Sequence, residues 1–87
     1  MNVEEARRII IKPYITEKGF TKMEKEDVLV FIVNDKADKK SVKEAIKILY
    51  NMDTVSVNTV RSIYGKKAYV RFPSGTARDL ATKLGVV

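Results

Sequence analysis

Six apolar residues in a row, Val28-Leu29-Val30-Phe31-Ile32-Val33, constrain this 87-residue chain more than any other feature. Val28, Val30, Ile32 and Val33 are β-branched, and a branched Cβ favours extended backbone. Charged residues flank the run, with Glu24 to Asp27 before it and Asn34-Asp35 ending it. A strand with no polar face belongs in the middle of a sheet, so the other elements must be arranged around it. It is also the longest apolar run, far short of the ~18–20 residues needed to span a bilayer.

Before this strand, Ile9-Ile10-Ile11 precede Pro13. A residue before proline is pushed out of the helical region, which predicts a short first strand from Arg8 to Lys12. Thr16 to Met23 reads as a short helix with Thr16 as N-cap and Glu17 at the positive end of the dipole, although Gly19 weakens it. Glu24 to Asp27 reads as a charged turn. Asp38 to Asn51 is the clearest helix: Val42, Ala45, Ile46, Leu49 and Met52 form one apolar stripe, and Asp38 and Asn51 suit its two ends. Thr54 to Tyr64 reads as a strand whose alternation slips near Asn58-Thr59, the mark of a bulge or local bend. Tyr64-Gly65-Lys66 is read as a tight hairpin turn. Lys67 to Phe72 alternates cleanly, with Ala68, Val70 and Phe72 on one face and Lys67, Tyr69 and Arg71 on the other. After Pro73-Ser74-Gly75, Thr76 is the expected cap of a last helix with apolar face Ala77, Leu80, Ala81 and Leu84, and Gly85 stands past its end.

The order is therefore β-α-β-α-β-β-α. The long helix crosses over one sheet face. The fold class is α+β, a small single-domain sandwich with a mostly antiparallel four-stranded sheet packed with helices, a ferredoxin-like variant. One domain fills residues 1–87, with residues 1–8 polar and expected to fray.

Composition removes most chemistry. With neither Cys nor His in the chain, there is no disulfide, thiol nucleophile, cysteine-ligated zinc or neutral-pH imidazole base. Four scattered glycines supply neither a P-loop nor a dinucleotide-binding pattern. Glu24, Glu26 and Asp27 cluster, but Lys22 and Lys25 are interleaved, as in a solvated turn. No catalytic residue, metal site, cofactor or small-molecule substrate is expected. Glu4 and Glu5 interrupt any signal-peptide core, so a soluble, cytoplasmic protein is expected.

The charge points to a polyanion. The net charge is +6, and its distribution is one-sided. From Thr54 onward six basic residues face Asp79 as the only acid, so that stretch carries +5, while the first 53 residues nearly cancel. Arg61, Lys66, Lys67 and Arg71 gather round the expected hairpin turn, and Tyr69 shares a strand face with Lys67 and Arg71. Cations pair with phosphates, and a ring among them stacks on a base or sugar. Asn58-Thr59 has two readings: contacts to sugar hydroxyls or phosphates, or satisfaction of a bulge. Lys39, Lys40, Lys43 and Lys47 on the long helix read as a solvated face, offset by Glu44 and Asp38. The helix start at Pro13 to Lys18 offers backbone N–H groups between Lys12 and Lys18, but Glu17 opposes phosphate there.

Pro13-Tyr14-Ile15-Thr16-Glu17-Lys18, Val57-Asn58-Thr59 and Lys66-Lys67-Ala68-Tyr69-Val70, in this order and spacing, resemble the universal large-subunit ribosomal protein family L-twenty-three over roughly Ile9 to Val87. The resemblance implies binding to large-subunit ribosomal RNA, chiefly its third domain, beside the nascent-chain exit tunnel. It implies ribosomal protein L-twenty-nine as a neighbour, and a platform for the signal recognition particle or other nascent-chain factors. By position, Pro13, Thr16, Lys18, Asn58, Thr59, Lys67 and Tyr69 match the family's RNA-facing motifs, and Glu17 its exposed acidic docking residue. Bacterial members insert a long basic hairpin loop that reaches into the tunnel. The turn here closes at once, like archaeal members, which removes trigger factor from the expected partners.

The expected function is thus a structural RNA-binding constituent of the large subunit, with phosphates neutralised by Arg61, Lys66, Lys67, Arg71, Lys12 and Lys18. The main rival is a protein-interaction module with a merely basic surface. A free-standing single-strand RNA binder lacks a row of aromatics, and an acylphosphatase-like enzyme rests on fold alone.

Overall fold

The computed structural model describes residues 1–14, 16–63 and 65–85. The order is α1 (Val3–Ile9), β1 (Ile10–Pro13), α2 (Glu17–Glu26), β2 (Val28–Val33), α3 (Lys39–Tyr50), β3 (Ser56–Ser62), β4 (Gly65–Arg71) and α4 (Thr76–Leu84). The strands form one sheet in the order β1-β2-β4-β3, and every neighbouring pair is antiparallel. The α+β class stands, with one helix more than the sequence predicts.

That helix is α1, which replaces the expected fraying of residues 1–8. The Asn2 side chain accepts from the Glu5 N–H at 2.9 Å. Glu4 and Glu5 sit in the first turn and Arg7 and Arg8 in the last, both favourable with the dipole. Ala6 is fully buried, and α1 packs on α3. Strand β1 follows at once and carries the bulge, between Ile10 and Lys12. Pro13 is tolerated there because β1 is an edge strand.

Strand β2 is central as expected, and all six of its residues are buried. Pairing across β2, β4 and β3 sets two kinds of row. Leu29, Val70 and Val57 share one side with Phe31, Ala68 and Thr59. Val30, Tyr69 and Asn58 share the other with Val28, Arg71 and Ser56. The first side joins Ala6, Val42, Ala45, Ile46, Ala77, Leu80 and Ala81 in a single core. Phe31, fully buried, stacks on Tyr50 at 6.2 Å between centroids.

Both ends of α3 are as read from the sequence. Asp38 and Ser41 form a reciprocal capping box, and Asn51 closes the helix in the left-handed region. The Ser41 N–H bond to Asp38, its largest influence, holds that carboxyl below the ordinary 3.8. Helix α2 runs to Glu26, past the expected end at Met23, because Asp27 supplies a left-handed cap. Asp27 then ties three elements together. Its carbonyl accepts from the Phe72 N–H at 2.9 Å, and its carboxylate accepts from the Gly75 N–H at 2.9 Å. Gly75, at φ 80°, is the N-cap of α4, and Thr76 is the first helical residue rather than the cap. Gly85 ends α4 as expected.

The bulge expected at Asn58-Thr59 is absent. Pairing between β3 and β4 runs unbroken from Ser56–Arg71 to Ser62–Gly65. The hairpin is therefore short, with two residues between Ser62 and Gly65. Gly65 and Lys66, expected in the turn, belong to β4. Tyr64, also placed in that turn, lies outside the described residues. Val55, Val57 and Ile63 share one parity in the sequence, yet of these only Val57 is buried, and Ile63 is 92% exposed. Among the described residues, no helix is long and apolar enough to cross a membrane.

Candidate nucleic-acid interface

Alternation along β4 divides the basic hairpin residues between two sides of the sheet. Lys67, Tyr69 and Arg71 lie on the side away from the main core, where Tyr69 faces Asn58 and Lys67 faces Val60 across the pair. Ser56, Asn58, Val60 and Arg71 are exposed, so this part of the sheet is open. Lys12 is exposed and pairs with Ile32, in the same row as Lys67.

Arg61 and Lys66 go to the other side, in the row of Val33. The Arg61 guanidinium pairs with the Asp35 carboxylate and also donates to the Asp35 carbonyl at 3.4 Å. Lys66 Nζ donates to the Ala37 carbonyl. Both therefore hold the connection from β2 to α3. The single basic cluster expected round the turn is corrected to two groups, one on the open face and one clasping this connection. Thr59, opposite Ala68, shares the helix-facing side, unlike Asn58.

Helix α2 forms the wall of the open face. Thr16 caps it, its hydroxyl accepting from the Gly19 N–H at 3.0 Å. A Cβ on Gly19 would stand 3.2 Å from that hydroxyl, so glycine lets the first turn close tightly on its cap. The residue that weakens the helix in sequence is thus the one that fits its start. Glu17 and Lys18 are exposed on this turn. Pro13 ends β1 opposite Phe31. Ile15, within the same motif, lies outside the described residues.

Between α2 and β4 runs a groove of about 390 Å³, with Val30 in its floor and Tyr14, Gly19 and Tyr69 in its walls. Thr16, Glu17, Lys18, Lys22 and Lys67 complete its lining. A second, more polar groove of about 570 Å³ lies over β3 and β4 and includes Ser56, Asn58 and Arg71. Both grooves share Lys22 and Tyr69. Each tyrosine carries a cation: Lys67 Nζ is 4.1 Å from the Tyr14 centroid, and Lys22 Nζ is 5.2 Å from that of Tyr69. Lys18 and Arg71 have no ion-pair partner among the described residues, whereas Arg78 pairs with Glu24 and Lys47 with Asp53.

Tyr14, Lys22 and Val60 belong to this surface, although the sequence reading did not single them out. A signal for Lys22 existed, since it follows Lys18 by one helical turn and so shares its face. For Tyr14 the signal was its place in the Pro13 to Lys18 motif, not periodicity, because its position depends on how α2 turns back over the sheet. Such an arrangement of cations, rings and short polar groups suits a polyanion bearing flat bases.

The family model for ribosomal protein L23 matches residues 8–83. Large ribosomal subunit protein uL23B of Caenorhabditis elegans is 43% identical over 81 residues, which cover 91% of this chain and 56% of that protein. Large ribosomal subunit protein uL23 of Trypanosoma brucei brucei is 43% identical over 88 residues, covering 99% of this chain and 54% of its own length. The chain spans about half the length of these curated relatives.

Proposed function

The chain belongs to the ribosomal protein L23 family, and from that premise we propose that it is a structural, non-enzymatic constituent of the large ribosomal subunit that binds ribosomal RNA through the open sheet face. One observation carries this reading: Lys67, Tyr69 and Arg71 stand in a row on an open face, beside Asn58 and under the Lys18–Lys22 side of α2. Lysine and arginine there neutralise phosphates, and Asn58 and Ser56 reach sugar hydroxyls. Lys12, two strands away on β1, lies in the same cross-strand row as Lys67 and extends the basic surface. Arg61 and Lys66 act indirectly, by holding the connection into α3, and Thr59, paired with Ala68, borders the second groove.

The resemblance supports the finer placement: the third domain of the large-subunit RNA, beside the exit tunnel, next to protein L-twenty-nine. Glu17, exposed on the first turn of α2 and matching the family's acidic docking residue, is the proposed contact for the signal recognition particle or another nascent-chain factor. The short hairpin supports the archaeal-like reading, in which other proteins occupy the tunnel-side space. The relatives named above are eukaryotic.

The test is binding to a third-domain ribosomal RNA fragment and to a scrambled RNA across a salt series. Preference for the ribosomal fragment, with a log–log salt slope matching about four to six phosphate contacts, is expected. Absence of RNA binding by the folded protein would overturn the reading in favour of a protein-docking module.

A further inference from the structure

The two grooves on the open face differ in chemistry, and the difference matches the two halves of a nucleotide. The groove beside α2 is walled by the Tyr14 and Tyr69 rings and floored by Val30. Its neighbour is lined by Ser56, Asn58 and Arg71, which suit a sugar and a phosphate, and also by the acid Glu26. They meet at Tyr69, with Lys22 lying over its ring at 5.2 Å. Resting on the RNA-binding reading above, we propose that this junction takes one unpaired nucleotide of the RNA. Its base stacks on Tyr69 in the place Lys22 occupies in the free protein, and Lys22 moves onto an adjoining phosphate.

Magnitudes favour the exchange. A cation over an exposed ring is worth about two- to fivefold. A base stacked on an aromatic side chain is worth about five- to 150-fold and tolerates any base, because every base has a π-face. Lys22 is exposed, so its displacement breaks no core contact. The released ammonium then gains a phosphate partner. Lys18, Lys22 and Lys67 line this groove with Glu17, and Lys22 and Arg71 line its neighbour with Glu26, so a phosphate on either side of the stacked base meets a cation. A paired base offers only its edge, and its faces are already stacked, so a continuous duplex cannot make this contact.

Two RNA duplexes of the same sequence test the proposal, one fully paired and one carrying a single bulged 2-aminopurine. Tighter binding of the bulged duplex by about five- to 150-fold at equal salt is expected, the range of one stacked base. Fluorescence of the 2-aminopurine should fall on binding. Tyr69→Phe should keep the preference, and Tyr69→Leu should abolish it while keeping the salt slope. Lys22→Gln should keep the preference and lower the slope. If both duplexes bind equally with the same steep salt dependence, nucleotide capture is overturned and the RNA-binding reading survives. If neither binds, and the ribosomal fragment of the previous test does not bind either, both fall. The wild-type comparison stands even if Tyr69→Leu fails to fold.

Discussion

Arg61 and Arg71 sit on paired strands, yet the pleat gives them opposite work. Arg61 faces the α3 side and grips Asp35, while Arg71 faces the open side with no ion-pair partner among the described residues. Lys66 and Lys67, adjacent in sequence, divide in the same way. Substitution should therefore separate stability from binding. Lys66→Gln removes a half-buried, charge-assisted bond to the Ala37 carbonyl and should cost about 1 kcal/mol by thermal melting, with an unchanged RNA salt slope. Arg71→Gln should leave the melting temperature within error and lower the slope by about 0.7–0.9, one phosphate. A fall in slope for Lys66→Gln equal to that for Arg71→Gln would show the assignment of faces to be wrong. The alternation of Lys67, Tyr69 and Arg71 was legible in the sequence, but the side taken by Arg61 and Lys66 was not. It depends on where the hairpin turns. With the turn read at Tyr64-Gly65-Lys66, Lys66 has no face, whereas pairing of Ser62 with Gly65 fixes one for both residues.

Elements were legible where caps and periodicity agreed. In α3, the stripe from Val42 to Met52 and the Asp38 and Asn51 ends all point to one helix, and that helix forms. Helix α1 escaped because Ala6 is its only fully buried residue, too small and too solitary to give a period. The bulge was misplaced for a related reason. Val60 breaks the alternation of β3 by standing exposed on the open face, not by shifting register, while the true bulge lets Ile11 face outward at 56% exposure. The α3 cap gives a pH signature. Hydrogen bonds from Ser41 hold the Asp38 carboxyl below 3.8 in the folded chain. A carboxyl lowered on folding stabilises the fold fully above its unfolded value, and the contribution is lost as pH falls through the folded value. Asp38→Asn keeps an acceptor for the cap but cannot ionise. The melting-temperature advantage of wild type over Asp38→Asn should be greatest near neutrality and should shrink below about pH 4. An advantage that stays constant down to pH 2 would show that ionisation of Asp38 does not stabilise the cap.

At the scale of the whole molecule, the core and the proposed RNA-binding surface lie on opposite sides of one sheet. The side toward α3 and α4 holds the continuous core, and its basic residues are spent on the protein's own carbonyls and Asp35. The open side gathers Lys12, Lys18, Lys22, Lys67 and Arg71 against Glu17 and Glu26. Like charges so grouped repel one another in the free protein, and an 87-residue domain has little stability to spare. The repulsion is relieved either by salt or by a polyanion, which makes the two responses to salt opposite in sign. Added salt should raise the melting temperature of the free protein by screening, while it weakens RNA binding by removing the gain from counterion release. The combined variant Lys18→Gln, Lys22→Gln and Arg71→Gln lowers the net charge from +6 to +3. It should melt no lower than wild type at about 10 mM salt, lose most of the salt-induced rise, and show an RNA salt slope smaller by about two to three. Melting curves at low and moderate salt, set beside the binding series, measure both halves. A variant that melts well below wild type at low salt would mean that these cations support the fold, and that the division of the sheet into a folding side and a binding side is wrong.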